Sequence, residues 1–198
     1  MLHKIVDYLL LKSSSIRDVS LFHGKMGIVV SLYLYAERHK DELLKEYAWD
    51  LFLQVHDSIH TNMPVGLEYG LAGIGVGTVL LCHYGNMDCD LNDVLADIDA
   101  KIMERDPRRF KDLSMRTGMA GVKYYLRLRG ALGGEMKSFD HQYITELQQV
   151  LGELEISENA PSIIEIINKP SFTLDEYIEK PLGIDNGCSY YILNSVIG

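Results

Sequence analysis

Cysteine is scarce in this chain and positive charge is outweighed. Its 198 residues carry three cysteines, 19 lysines and arginines, and 28 aspartates and glutamates, for a net charge of −9. An odd count without framework spacing at Cys82, Cys89 and Cys188 predicts no disulfide scaffold and fits a reducing compartment, the cytoplasm. The acidic balance lacks the basic surface that a phosphate backbone requires, which excludes nucleic acid as the main partner. The one local cluster, Arg105, Arg108, Arg109 and Lys111, reads as a solvated turn. No apolar run has the length of a membrane span, and the stretch 1–11 is interrupted by Asp7 and lacks a small-residue cleavage site, so it reads as an amphipathic first helix and not a signal peptide. A phosphate-binding glycine loop is missing too, because Gly73, Gly75 and Gly77 continue a helical segment with no strand before it. Period-two alternation flanked by hairpin turns is absent, which argues against a propeller.

What the chain does have is an internal repeat. The octets LFHGKMGI from Leu21, LEYGLAGI from Leu67 and MRTGMAGV from Met115 share two glycines at i and i+3. A fourth, degraded copy, IDNGCSYY from Ile184, keeps Gly187 and has Tyr190 in place of the second glycine. The anchor glycines at 24, 70, 118 and 187 lie 46, 48 and 69 residues apart, a period of stacked helical hairpins. Each signature opens a run apolar on nearly every side, at 28–36, 71–81, 119–128 and 188–197, and such helices must be buried all round. Between them, apolar residues recur at helical spacing: Leu44, Ala48, Leu51, Phe52 and Val55; Leu91, Leu95, Ile98 and Ile102; Tyr143, Leu147 and Leu151; and Ile5, Val6 and Leu9 near the start.

These patterns predict an all-α single domain over 1–198, with about four outer-then-inner helical hairpins at roughly 1–38, 40–85, 90–130 and 137–198 and an insertion near 157–181. The paired glycines let a neighbouring helix or the preceding loop come close, and the helix starts they leave bare also present free N–H groups to a ligand. Residues just before the anchor glycines should share one rim: Phe22 and His23, Glu68 and Tyr69, Arg116 and Thr117, Asp185 and Asn186. That polar set resembles the floor of a ligand cleft, against the alternative that Thr117, Asp185 and Asn186 only cap and close loops. His23 is the candidate acid or base, and Glu68 with Asp185 offers a carboxylate pair. Cys82, His83 and Cys89 make a poor zinc site, since adjacent residues at a helix end do not readily chelate one ion together.

Laid out in this way, the chain resembles the lanthionine synthetase C-like family, the cyclases of ribosomally made peptides. The stretches 20–36 and 65–81 carry that family's Leu-x-x-Gly-x-x-Gly-Ile pattern, 112–128 follows it more loosely, and 182–193 departs from it most. The resemblance implies an α/α toroid of inner and outer helices with a site at one mouth, where two cysteines and a histidine hold zinc. Phe22 stands where one thiolate would be and Cys188 follows Gly187 instead of preceding it, so no metal or other cofactor is expected. His23 matches the family's His-Gly dipeptide and alone carries over. A closed toroid at this period needs on the order of 280 to 330 residues, so the chain reads as a partial α/α barrel. Its open arc would be covered by a peptide or protein partner or by a second copy of the chain. The expectation is a zinc-free, accessory or peptide-binding member of modified-peptide maturation, leaning away from an enzyme. The alternatives are a carbohydrate-active enzyme using a carboxylate with His23, and a helical-repeat scaffold.

Overall fold

Every regular element among the described residues is helical, as the periodicity predicts. The structure is a computed structural model and describes residues 1–87, 89–133, 136–154 and 162–198. In chain order the helices are α1 (Leu2–Lys12), α2 (Lys25–His39), α3 (Glu42–Asp57), α4 (Leu71–Tyr84), α5 (Leu91–Val94), α6 (Ala96–Met103), α7 (Met119–Gly133), α8 (His141–Leu151) and α9 (Cys188–Ile197). None of them is long and apolar enough to cross a membrane. They fall into two compact units, the first made of 1–59 with 162–198 and the second of 60–161.

In the first unit, α2 is buried on all sides from Lys25 through Leu34, and α3 buries only the stripe Leu44, Ala48, Leu51, Phe52 and Val55. Each fully buried aliphatic side chain contributes about 1.5–3 kcal/mol, so the all-round burial of α2 outweighs the poor intrinsic propensity of its valines and glycine. The helix begins three residues earlier than its apolar run, at Lys25, which is buried and donates from Nζ to Gln54 Oε1 at 2.6 Å. It stops at Lys40, whose left-handed φ of 56° turns its amide back to Ala36 and Glu37 carbonyls. Asp41 then caps α3 by accepting from the Leu44 amide at 3.1 Å. α2 lies against α3 and α9, and α1 lies against α9. The buried α2 thus packs on α3, the amphipathic helix that follows it. Ser31 Oγ donates to Ser189 O at 3.1 Å and Arg38 Nη1 to Ser195 O at 2.7 Å, joining α2 to α9. Of the insertion read at 157–181, residues 157–161 lie outside the described residues. The remainder holds one 3-10 turn, Ile163–Glu165, with Ile163 and Ile167 buried.

In the second unit, α4 is buried from Leu71 through Leu81 and lies against α7 and α6, while α8 covers part of α7. The amphipathic segment expected over 91–102 is two helices, broken at Leu95. The apolar run of α7 was read as ending at Leu128, yet the helix continues to Gly133. Within that continuation Arg129 is only 1 % exposed and paired within the unit to Asp99.

Candidate functional site

The loops that lead into the four signature helices are of two kinds, and the kinds alternate along the chain. Before α2, Asp18 Oδ1 accepts from Ser20 N at 2.8 Å and Asp18 O accepts from Lys25 N at 2.8 Å. Before α7, Asp112 Oδ1 accepts from Ser114 N at 2.9 Å and Asp112 O from Met119 N at 3.0 Å. Before α4, Pro64 O accepts from Leu71 N at 2.9 Å and Val65 O from Ala72 N at 3.1 Å. Before α9, Pro181 O accepts from Cys188 N at 2.8 Å and Leu182 O from Ser189 N at 3.1 Å. The fourth copy, degraded as an octet, thus repeats the backbone bonds of the second. Its likeness sits upstream of the octet, in Pro181 and Gly183 matching Pro64 and Gly66.

Those bonds answer the question of the bare helix starts. A helix leaves its first amides without intrahelical partners, and here the preceding loop supplies carbonyls to leading amides of α2, α4, α7 and α9. The glycines therefore serve close packing of loop on helix. Within each unit a loop of the second kind also lies on one of the first. Asp185 N donates to Phe22 O at 3.0 Å in the first unit, and Glu68 N donates to Arg116 O at 2.7 Å in the second. A Cβ on Gly183 would collide with Phe22 O, and one on Gly66 with Thr117 O, so neither position admits a side chain.

In the first unit this arrangement brings His23 and Asp185 together. Asp185 is 6 % exposed, and one of its carboxylate oxygens lies within 4.8 Å of a ring nitrogen of the half-buried His23. Phe22 meets the His23 ring edge to face, with centroids 6.4 Å apart. Asp185 Oδ1 accepts from Asn168 N at 2.7 Å and Oδ2 from Asn168 Nδ2 at 3.4 Å. Asn186 adopts a left-handed φ of 49°, which asparagine tolerates, and its Oδ1 accepts from Ser171 N at 2.8 Å. Asp185 and Asn186 thus hold the 168–171 segment in place.

In the second unit, Glu68 and Arg116 form a bidentate ion pair, Nε to Oε2 at 2.7 Å and Nη2 to Oε1 at 2.9 Å, with side chains 12 % and 31 % exposed. Thr117 donates its hydroxyl to Asp112 Oδ2 at 2.6 Å and lies 3.0 Å from Ser114 Oγ. Those bonds hold the Asp112 carboxyl below the usual aspartate range, the Thr117 hydroxyl contributing most and the Ser114 amide next. Tyr69 is exposed. An imidazole beside a carboxylate, as in the first unit, can hydrogen-bond a polar group. Glu68 is gripped at two points by a guanidinium, which fixes the orientation of its carboxylate.

Two features escaped the sequence reading. Arg129, inside α7, pairs with Asp99 of α6 in the buried interior of the second unit. Tyr125 Oη donates to Asp99 Oδ1 at 2.7 Å, and Arg129 Nη2 donates to Leu91 O, Asn92 Oδ1 and Ser138 Oγ at 3.0–3.2 Å. The available signal was an Asp beside Ile98 on an apolar stripe, answered by an Arg one residue past an apolar run. The second feature is a Cys82–Cys89 disulfide, which irregular spacing did not suggest.

The cysteines do not fit the zinc that the family resemblance implies. Cys82 and Cys89 are bonded to each other, and the buried Cys188 directs Sγ toward Tyr177 O at 3.6 Å. Burial pushes the Cys188 thiol up to about 11, against the thiolate form that metal binding needs. No family model, curated protein or solved structure matches the chain.

Proposed function

We propose that this chain is a shortened relative of the lanthionine synthetase C-like proteins, an incomplete α/α toroid that binds a peptide during maturation of ribosomally made modified peptides without performing the cyclisation. The observation that carries the reading is the chemistry left at the signature loops. An imidazole, His23, stands beside the buried Asp185 carboxylate, while all three cysteines are committed elsewhere. Such a loop can hold a peptide through hydrogen bonds, but it lacks the thiolates that hold the family's zinc and through it activate a peptide thiol. The alternation of two loop kinds, each repeated with the same backbone bonds, supports kinship to a repeat architecture. On this reading a peptide or a second copy of the chain covers the open arc.

The test is a titration with a synthetic peptide that contains one cysteine and one dehydroalanine, followed by calorimetry and a free-thiol assay. Micromolar binding with an unchanged thiol titre is expected, and His23→Ala should weaken binding at least about tenfold, or about 1.4 kcal/mol. Consumption of the thiol, stoichiometric zinc in the purified protein, or no binding at millimolar peptide would overturn the proposal. The carbohydrate-active alternative rests on the same His23 and Asp185 neighbours, and a sugar bound or cleaved in place of peptide would favour it.

A further inference from the structure

The end of α4 carries a group that peptide binding does not use. Cys82, in the last turn of α4, is bonded to Cys89 seven residues on, with Cα atoms 6.3 Å apart. Both are half-buried, and the neighbouring His83 is exposed. Together with Met87 and Asp90 they line a surface cavity of about 450 Å³ with polar walls. Cys188 differs in every respect, being buried and directed at a backbone carbonyl.

Disulfides shielded in an interior resist exchange, whereas those open to solvent are the labile ones, because a thiolate must approach a sulfur directly. We infer that the Cys82–Cys89 pair is a thiol–disulfide exchange site for low-molecular-weight thiols, a reversible redox modification site in the wall of that cavity. An incoming thiolate attacks Cys82 Sγ, forming a mixed disulfide there as the Cys82–Cys89 bond breaks and its electron pair leaves on Cys89 Sγ, which takes a proton from water. A second thiolate attacks the outer sulfur of the mixed disulfide, releasing the small-molecule disulfide and a Cys82 thiolate that is protonated in turn. Two small thiols are oxidised and one protein disulfide is reduced. Attack falls on Cys82 because a thiolate at the carbonyl end of a helix is disfavoured, which makes Cys89 the better leaving group.

The effect stays local. Leu91 O and Asn92 Oδ1 accept from the buried Arg129, so the start of α5 is held whether or not the disulfide is closed. Opening leaves the helix pairing of the unit in place.

The experiment uses the full chain purified in air without reductant. The folded protein is incubated with millimolar glutathione near neutral pH, alkylated with N-ethylmaleimide and mapped by mass spectrometry. Untreated protein should label at neither Cys82 nor Cys89, and glutathione should open both to near-complete labelling while Cys188 stays unlabelled. Cys89→Ser protein given oxidised glutathione should gain one glutathione, at Cys82, with an unchanged circular dichroism spectrum. A disulfide that survives glutathione in the folded protein and opens only in urea would overturn the inference. So would Cys82 and Cys89 already labelled in the air-purified protein, or an adduct of the variant at Cys188 alone.

Discussion

Arg116 grips Glu68 through two nitrogens, at 2.7 and 2.9 Å, while the Arg116 carbonyl accepts the Glu68 amide at 2.7 Å. One residue therefore holds another by both side chain and backbone, and the loop before α4 is fixed on the loop before α7. Replacing Arg116 by Ala removes only the side-chain part. The pair is partly exposed, so the expected loss is about 1–2 kcal/mol, between that of a surface pair and that of a shielded charged hydrogen bond. Arg116→Lys should recover less than half of it, because an ammonium cannot make the bidentate bond. Urea unfolding of the two variants measures both values.

The Asp99 and Arg129 pair is buried to 0 % and 1 % exposure, and its loss should be of a different order. Arg129→Met leaves an unpaired carboxylate in the interior and is expected to cost about 3–5 kcal/mol, whereas the double variant Asp99→Leu with Arg129→Met should be markedly milder. Tyr125→Phe removes one hydrogen bond to Asp99 and should cost about 1–2 kcal/mol. A double-mutant cycle by thermal denaturation checks the coupling; additive single losses would contradict it.

Gly183 and Gly66 should respond alike to alanine although they sit in different units. In each case the new methyl meets a backbone carbonyl, Phe22 O or Thr117 O, which cannot swing away as a side-chain end can. Each substitution is expected to cost about 3 kcal/mol or to prevent folding, at the upper end of overpacking penalties. A loss under about 1 kcal/mol for either, read from urea midpoints, would contradict the loop equivalence.

Two groups set opposite pH responses. Asp112 has its folded pKa lowered by the Thr117 hydroxyl and the Ser114 amide, so its stabilisation is present above the ordinary aspartate range and is lost as pH falls through the lowered value. Thr117→Val should move the Asp112 carboxyl resonance midpoint upward in an NMR titration. Cys188 is raised to about 11 by burial, so its contribution is full below the ordinary thiol value and is lost as pH rises toward about 11. Iodoacetamide should accordingly leave Cys188 unmodified in the folded protein at pH near 8, and react when urea unfolds it.

The helices were legible because burial imposes a period. Leu44, Ala48, Leu51, Phe52 and Val55 mark one face of α3, and the apolar run after Gly70 marks α4 as buried from Leu71 through Leu81. The glycine octets located the helix starts as well: Gly24, Gly70 and Gly187 are the residues from which α2, α4 and α9 begin. Among candidate site residues, the polar set before the anchor glycines was readable by position alone, because equivalent places in a repeat are spaced by the repeat. What each of those residues does was not. Glu68 and Arg116 look like two separate entries to a rim in the sequence, 48 residues apart, and only the fold makes them one ion pair.

By itself, then, the sequence determined local matters: which segments are helical, where they start, and that α2 and α4 are buried, whereas the all-round burial expected of 188–197 fails at the exposed Asn194 and Ser195; propensity, periodicity and the demand for an unencumbered backbone act over a few neighbouring residues. Tertiary structure alone decided the partnerships. It sorted four similar loops into two alternating kinds, set Asp185 beside His23, joined Cys82 to Cys89, and drew Arg129 into the interior beside Asp99. Each of these depends on which distant backbone amide, carbonyl or charge arrives at a given point, and no pattern within one stretch of chain records that arrival.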